Sequence, residues 1–260
     1  MKRKKTLTAI LFLFFAALPF PADCRFLEIL PSVDIVPGGS APKVDVDLVF
    51  SYPEEKDGVP PMVPPEQFFV LHDDKKMDLK TSLVPMEMKG KSAYRLSYVL
   101  KNPGDYIFSV AAAPYWDPAE EKLIVQYAKV VVNGFERKTE RWNEPVRFPV
   151  EIDPLVRPYG LWTGNSFRGI VKHNGRPVPF ADIEVAYRSS KGEVIIPAGP
   201  FRTQILVADI NGVFSYTMPR AGWWGFAARI EGEMVEHEGR RVEVELDGLI
   251  WVRCVDMETK

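Results

Sequence analysis

After its first two dozen residues the chain is a succession of short apolar runs, alternating with polar positions and separated by turns. Val44-Asp45-Val46-Asp47-Leu48-Val49-Phe50 opens with strict alternation, the period of a strand with one buried face. Phe26 to Leu30, Phe68 to His72, Leu79 to Pro85, Ala93 to Leu100 and Leu123 to Asn133 continue the series. Pro103-Gly104-Asp105-Tyr106-Ile107-Phe108-Ser109-Val110 reads as a turn entering a strand. Farther on, one strand ends at Asn174-Gly175, Arg176-Pro177-Val178-Pro179 bends the chain, and Ile183, Val185 and Tyr187 alternate on one face of the next. Asn211-Gly212 can adopt the positive φ angles of a tight hairpin turn. With Val213 to Thr217, a second turn at Pro219 to Gly222 and the strand Trp223 to Ile230, it predicts a β-meander with an aromatic core. Val242 to Cys254 supplies the last strand pair. No segment has the apolar period of an amphipathic helix of about ten residues, so the fold class is all-β.

The 23 Pro and 18 Gly residues among 260 agree with many strands and turns. A mature chain of about 236 residues accommodates one large β-fold or two smaller ones. The stretch Phe135 to Pro158, rich in charge and proline, marks the expected boundary, giving β-sandwich domains at 25–153 and 154–260. The first resembles an immunoglobulin-like domain. The second resembles carboxypeptidase-regulatory-like and collagen-adhesin-type B domains. Between two strands of the first half, Glu54 to Pro65 is too long for a hairpin and forms a proline-rich loop.

The N-terminus changes the charge picture. Lys2, Arg3, Lys4 and Lys5 precede an almost unbroken apolar run from Ala9 to Phe20, the layout of a secretory signal peptide and too short for a span of about 20 residues. Ala22 and Cys24 place small residues for cleavage after Cys24, so residues 1–24 are assigned as signal and the protein as exported to the periplasm or beyond. Retention of an acylated Cys24 is disfavoured by Pro21 and Asp23. Losing the signal takes the formal charge from −2 to −5. A mildly acidic exported chain has no electrostatic reason to bind nucleic acid or anionic lipid. It would also keep Cys254 as its one thiol, which excludes an intramolecular disulfide.

Candidate chemistry is sparse. The three histidines, His72, His173 and His237, stand in separate segments with no second ligand at helical spacing. His72-Asp73-Asp74 is the most ligand-like local cluster, although Asp-Asp-Lys-Lys equally describes a charged turn. His237 lies among Glu233, Glu236 and Glu238, beside a turn at Gly239. Nucleophile elbows, zinc-protease helices, phosphate loops and dinucleotide fingerprints are absent from the sequence, and no enzymatic activity is expected. Tyr115, Trp116, Trp142 and Trp162 are candidate surface aromatics for recognising a protein or glycan.

Seven short motifs carry a resemblance: Leu30 to Val36, Pro114 to Pro118, Tyr127-x-Lys129 to Val132, Pro154 to Gly160, Gly164-Asn165-x-Phe167-x-Gly169, Ala221 to Ala228, and Ile250-Trp251-Val252. In this order they resemble the DUF4198 family, exported proteins often described as periplasmic components of nickel or cobalt uptake systems. The resemblance implies a Ni or Co ion as cofactor and membrane subunits of an uptake transporter as partners. It also implies a histidine at the mature N-terminus, one closing the first long strand, and one before the Tyr-x-Lys pair. Those positions hold Arg25, Tyr52 and Gln126. Arg does not ligate a metal at ordinary pH, and Tyr and Gln are poor nickel ligands. Two readings stay open. One is a metal-transport component with a rearranged site (His72, Asp73, Asp74 or His237) or acting by contact alone. The other is an interaction module that works without metal.

Overall fold

A computed structural model describes residues 26–39, 42–51, 61–118, 120–138, 141–188, 194–201 and 203–258. The signal-peptide assignment, Arg25 and Tyr52 lie outside them.

The first half forms β1 (Phe26–Pro31), β2 (Ile35–Val36), β3 (Lys43–Ser51), β4 (Gln67–His72), β5 (Lys75–Asp78), β6 (Val84–Met88), β7 (Lys91–Val99), β8 (Gly104–Ala111), β9 (Tyr115–Asp117) and β10 (Lys122–Gly134). The second forms β11 (Val150–Pro154), β12 (Leu161–Trp162), β13 (Ser166–His173), β14 (Arg176–Pro177), β15 (Asp182–Arg188), β16 (Thr203–Val207), β17 (Val213–Thr217), β18 (Gly222–His237) and β19 (Arg240–Val255). Single 3₁₀ turns at Lys80–Ser82 and Gly199–Phe201 are the helical pieces among the described residues, so the fold is all-β. The turn at Lys80–Ser82 interrupts what the sequence offers as a continuous strand from Leu79 to Pro85. There Asp78 Oδ1 accepts the Lys80 N–H at 2.8 Å and closes a local turn.

Three sheets assemble from these strands. A four-stranded sheet runs β1-β3-β7-β6. A central eleven-stranded sheet runs β16-β15-β18-β19-β10-β8-β4-β5, with β12 beside β19 and both β2 and β9 beside β10. A third sheet runs β11-β13-β14, with β17 also on β13. Strand periodicity assigns the faces. Leu249 and Trp251 of β19 join Phe26, Leu27, Val46 and Phe108 in one core. Their neighbours Ile250, Val252 and Cys254 join Phe167, Phe214 and Phe226 in another. Trp223 and Trp224 divide between the same two cores. The first and third sheets therefore pack on opposite faces of the central one. A third apolar cluster holds Phe69, Ile107, Val131, Phe148 and Tyr159.

The central sheet is continuous across the two halves of the chain, because β10 and β19 pair in parallel from Leu123↔Val244 to Val130↔Trp251. The expected break between 153 and 154 falls inside β11, which pairs with β13 from Val150↔His173 to Pro154↔Gly169.

The predicted meander is corrected. The Asn211-Gly212 turn exists, with Gly212 at φ +75°, but it does not join paired strands. β16 pairs with β15 and β17 with β13, while β18 returns to the central sheet. The cause is local. Asp209 Oδ1 accepts the N–H groups of Asn211 and Val213 at 2.8 and 2.9 Å, and Val171 N–H of β13 donates to Gly212 O at 2.9 Å. A Cβ at residue 212 would stand 2.9 Å from Val178 O, so only glycine lets the turn lie against β13. The chain thus leaves the central sheet, crosses to the third, and comes back. The last predicted strand pair is instead one strand, β19, hydrogen-bonded to β18 nearly throughout. Asp73 and Asp74, at φ 48° and 61°, form the β4–β5 hairpin turn that the sequence allowed.

Candidate functional site

Of the three positions at which the resemblance places histidines, Gln126 is the one among the described residues. Phe26 and Ser51, the chain neighbours of Arg25 and Tyr52, are partners in the β1–β3 ladder. Gln126 of β10 reaches β1 from the central sheet. Its Oε1 accepts the Leu27 N–H at 2.8 Å, and its Nε2 donates to Asp247 Oδ2 of β19 at 2.8 Å. Trp251 Nε1 donates to Leu27 O at 2.9 Å. β1 is an edge strand, and these two side chains satisfy the outward N–H and C=O that its ladder leaves buried. Position 126 is therefore a clamp between sheets. Gln126→Ala should cost about 1–3 kcal/mol in chemical unfolding, because it orphans a buried N–H and removes a donor to Asp247. An unchanged midpoint would show that the clamp is dispensable.

Around Gln126 lies a charged cluster on the same face of the central sheet. Arg229 of β18 contacts Glu184 of β15 at 2.6 Å and approaches Glu245 of β19 at 3.8 Å. Lys122 of β10 approaches Glu243 at 3.3 Å and Glu245 at 3.7 Å. Asp247 is 1% exposed. Burial, reinforced by the Glu245 and Glu184 charges and opposed by Gln126 and Arg229, pushes its carboxyl up to about 8. Burial also raises Glu245, with Arg229 opposing. Burial works against the Lys122 charge, but Glu245 and Glu243 more than offset it and hold the ammonium above its ordinary value. The cluster can hold a proton at neutral pH. It contains no nucleophile.

His72 is buried. Its ring lies flat on Tyr106, with centroids 3.9 Å apart and planes at 5°, and Nδ1 is 2.9 Å from Asp105 O. A Cβ on residue 104 would stand 2.9 Å from His72 Cε1, so Gly104 makes room for the ring. Nε2 is 3.5 Å from Asp73 Oδ2. Asp74, by contrast, pairs with Arg141 at 2.6 Å. His237 stands near the far end of the β18–β19 hairpin and stacks on Trp116 at 4.9 Å. β10 and β8 separate that hairpin from β4 in the sheet, so His72 and His237 are not brought together. Among the described residues no group of three or more His, Cys, Asp or Glu side chains is placed to hold a metal ion. The residues present at position 126 and around it do not fit the Ni or Co site that the resemblance implies, since the Gln126 amide is engaged at both ends.

The aromatic candidates are mostly packing groups. Tyr115 meets Phe50 edge to face at 5.6 Å, Trp116 carries His237, and Trp142 packs against the third apolar cluster. Trp162 is exposed.

Two polar networks went unseen in the sequence. Lys129 Nζ, 2% exposed, donates to Glu151 Oε2 at 2.9 Å and Asp153 Oδ1 at 2.8 Å. Glu151 also accepts the Val146 and Arg147 N–H groups, and Lys172 reaches Asp153 at 2.7 Å. Separately, Asp105 accepts from Asn133 Nδ2 at 2.9 Å and Tyr159 Oη at 2.7 Å. Asp34 accepts the Gly160 N–H at 3.1 Å and pairs with Arg253 at 3.3 Å. The one available signal was a Gln and a Lys inside the apolar run Val125 to Val132. The motifs at Leu30 to Val36, Tyr127 to Val132 and Pro154 to Gly160, which carry part of the family resemblance, thus supply struts between sheets.

None of the curated proteins compared matches this chain. Among solved structures it is similar to trypsin-activated α2-macroglobulin from Escherichia coli, at 14% identity and TM-score 0.28, covering 91% of this chain and 16% of that one. The I67–I69 fragment of the titin I-band aligns at 10% identity and TM-score 0.21, covering 87% of this chain and 65% of that one. Dimeric latent PorU from Porphyromonas gingivalis aligns at 9% identity and TM-score 0.24, covering 89% and 20%. The chain thus spans less than two thirds of the length of each. The model of a domain of unknown function, DUF4198, matches residues 22–232, and the chain belongs to that family.

Proposed function

We propose that this protein is an exported, non-enzymatic β-sandwich that acts by contact with a partner. If it serves nickel or cobalt uptake, as the family resemblance implies, it does so by touching membrane subunits of the transporter, without holding the ion at position 126. The observation that carries this reading is the Gln126 amide. Its oxygen and nitrogen are both engaged, by Leu27 N–H and Asp247, in a clamp that closes an edge strand. A residue used that way serves the fold. The interaction-module reading shares this mechanism and differs only in the partner.

Isothermal titration of the exported protein with Ni²⁺, Co²⁺ and Zn²⁺ tests the proposal. Flat titrations with all three are expected. Micromolar or tighter binding that is lost in His72→Ala or His237→Ala would replace contact with a rearranged metal site. In-cell cross-linking followed by membrane fractionation supplies the positive arm, with recovery of the protein on integral membrane subunits as the expected result.

A further inference from the structure

The chain holds two Asn-Gly pairs, Asn174-Gly175 and Asn211-Gly212, and the fold treats them differently. Asn174-Gly175 is the two-residue loop between β13 and β14, whose ladder closes at His173↔Arg176. Both residues are exposed, at φ 49° and 76°. Among the described residues, no hydrogen bond holds the Gly175 N–H or the Asn174 side chain. A Cβ at residue 175 would meet no atom within 4 Å, so the space around this glycine is open. At the second pair the glycine is buried, with Val178 N and O and Val171 O crowding the position a Cβ would take. Gly212 N–H donates to Asp209 O at 2.9 Å. The Asp209 carboxylate accepts from the Asn211 side chain as well as from the Asn211 N–H.

We infer that Asn174 is a site of spontaneous deamidation and isoaspartate formation, and that Asn211 is spared by its turn. The reaction needs an asparagine whose side-chain carbonyl carbon can be reached by the next backbone nitrogen. Glycine, with no side chain, leaves that approach unobstructed. Solvent hydroxide takes the Gly175 amide proton, and the nitrogen attacks Asn174 Cγ. The bond from Cγ to the side-chain nitrogen then breaks and ammonia leaves. Water opens the cyclic imide on one side or the other, giving isoaspartate or aspartate, so one water enters for each ammonia released. Exposed Arg176, next to the glycine, favours loss of the proton, as a nearby positive charge favours an anion. At Asn211 both reacting groups must first leave Asp209. Isoaspartate reroutes the main chain through Cβ in a loop of two residues. The contacts it disturbs are the Asn174 N–H bond to Pro149 O at 2.7 Å and the His173↔Arg176 pair. The inference does not rest on the reading of Gln126 or on export.

Incubation of the purified protein at mildly alkaline pH, followed by peptide mapping in a mass spectrometer, reads the reaction site by site. Methyl transfer by a protein-isoaspartate methyltransferase identifies the rerouted product. In the folded protein the Asn174 peptide is expected to gain the mass of an amide becoming a carboxyl and to accept methyl groups, faster as pH rises. Each pair is also followed in urea, as its own unfolded reference. Asn174 should keep most of its unfolded rate, whereas Asn211 should fall below its own by about tenfold or more, because its reactive geometry requires local opening first. An Asn211 that keeps as large a fraction of its unfolded rate as Asn174, or an Asn174 that stays intact in the fold while reacting in urea, would overturn the inference.

Discussion

Lys129→Ala is expected to lower stability by about 3–5 kcal/mol, the cost of leaving buried charges without their partner. Lys129 is 2% exposed, and two carboxylates, Glu151 and Asp153, converge on its ammonium. Burial penalises that ammonium, but Glu151 and Asp153 more than offset the penalty and hold its pKa above the ordinary lysine value. Burial likewise penalises Asp153, yet Lys129 and Lys172 outweigh it and hold its carboxyl below the usual range. Asp153 therefore contributes stability above its unfolded-state pKa, and this is lost as pH falls through its lower folded value. In Lys129→Ala that contribution shrinks, so acid should cost the variant less than it costs the parent. Lys129→Met separates packing from charge: it keeps the aliphatic stem and should recover little. As a reference, Arg95→Ala breaks a largely exposed pair with Asp47 and should cost under about 1 kcal/mol. Urea unfolding of the four proteins at neutral pH and in acid decides the matter. A Lys129→Ala midpoint close to that of Arg95→Ala would show that the cluster is solvated and contributes little.

Asp247→Asn is expected to stabilise the protein at pH 8 and to do so much less at pH 5, near the lower end of the window in which the parent loses stability. The folded pKa of Asp247 lies near 8, against an ordinary carboxyl value of 3.8. A group raised in the folded state binds its proton more tightly there. Its contribution is complete below the unfolded pKa, and it is lost as pH climbs from about 4 to about 8, at up to about 1.4 kcal/mol per pH unit. Glu245 and Glu28 are raised by burial as well and push in the same direction. The parent should therefore weaken across this window, and the asparagine variant should weaken by a few kcal/mol less. Asparagine retains an oxygen for Gln126 Nε2 and never has to ionise. Unfolding curves of both proteins at pH 5 and pH 8 provide the test, and parallel pH profiles would mean that Asp247 does not carry the proton.

Much of the fold was legible in the residues. Alternation in Val44 to Phe50, the apolar run before Asn133 and the turns at Asp73-Asp74 and Asn174-Gly175 are local features, fixed by side-chain period and by the φ angles those residues tolerate. They suffice to name strands and hairpins. They do not say which strands pair. The Asn211-Gly212 turn shows the limit: its chemistry is that of a hairpin, but the backbone of β13 captures it, and the flanking strands go to different sheets. Likewise Trp223 and Trp224 could be assigned to opposite faces from strand period alone, whereas the cores those faces meet depend on the sheets packed above and below.

The candidate site divides along the same line. The sequence by itself determined that Gln126 stands where the family resemblance calls for a histidine, and that no nucleophile or paired ligand set accompanies it. Only the tertiary structure decided what Gln126 does. Its partners are Leu27, 99 positions away, and Asp247, 121 positions away. The same holds for Lys129, which reads as an interruption of an apolar strand until β11 brings Glu151 and Asp153 against it. A buried polar residue is defined by the groups that satisfy it. Here those groups come from distant strands, joined by the parallel pairing of β10 with β19 that no local pattern encodes.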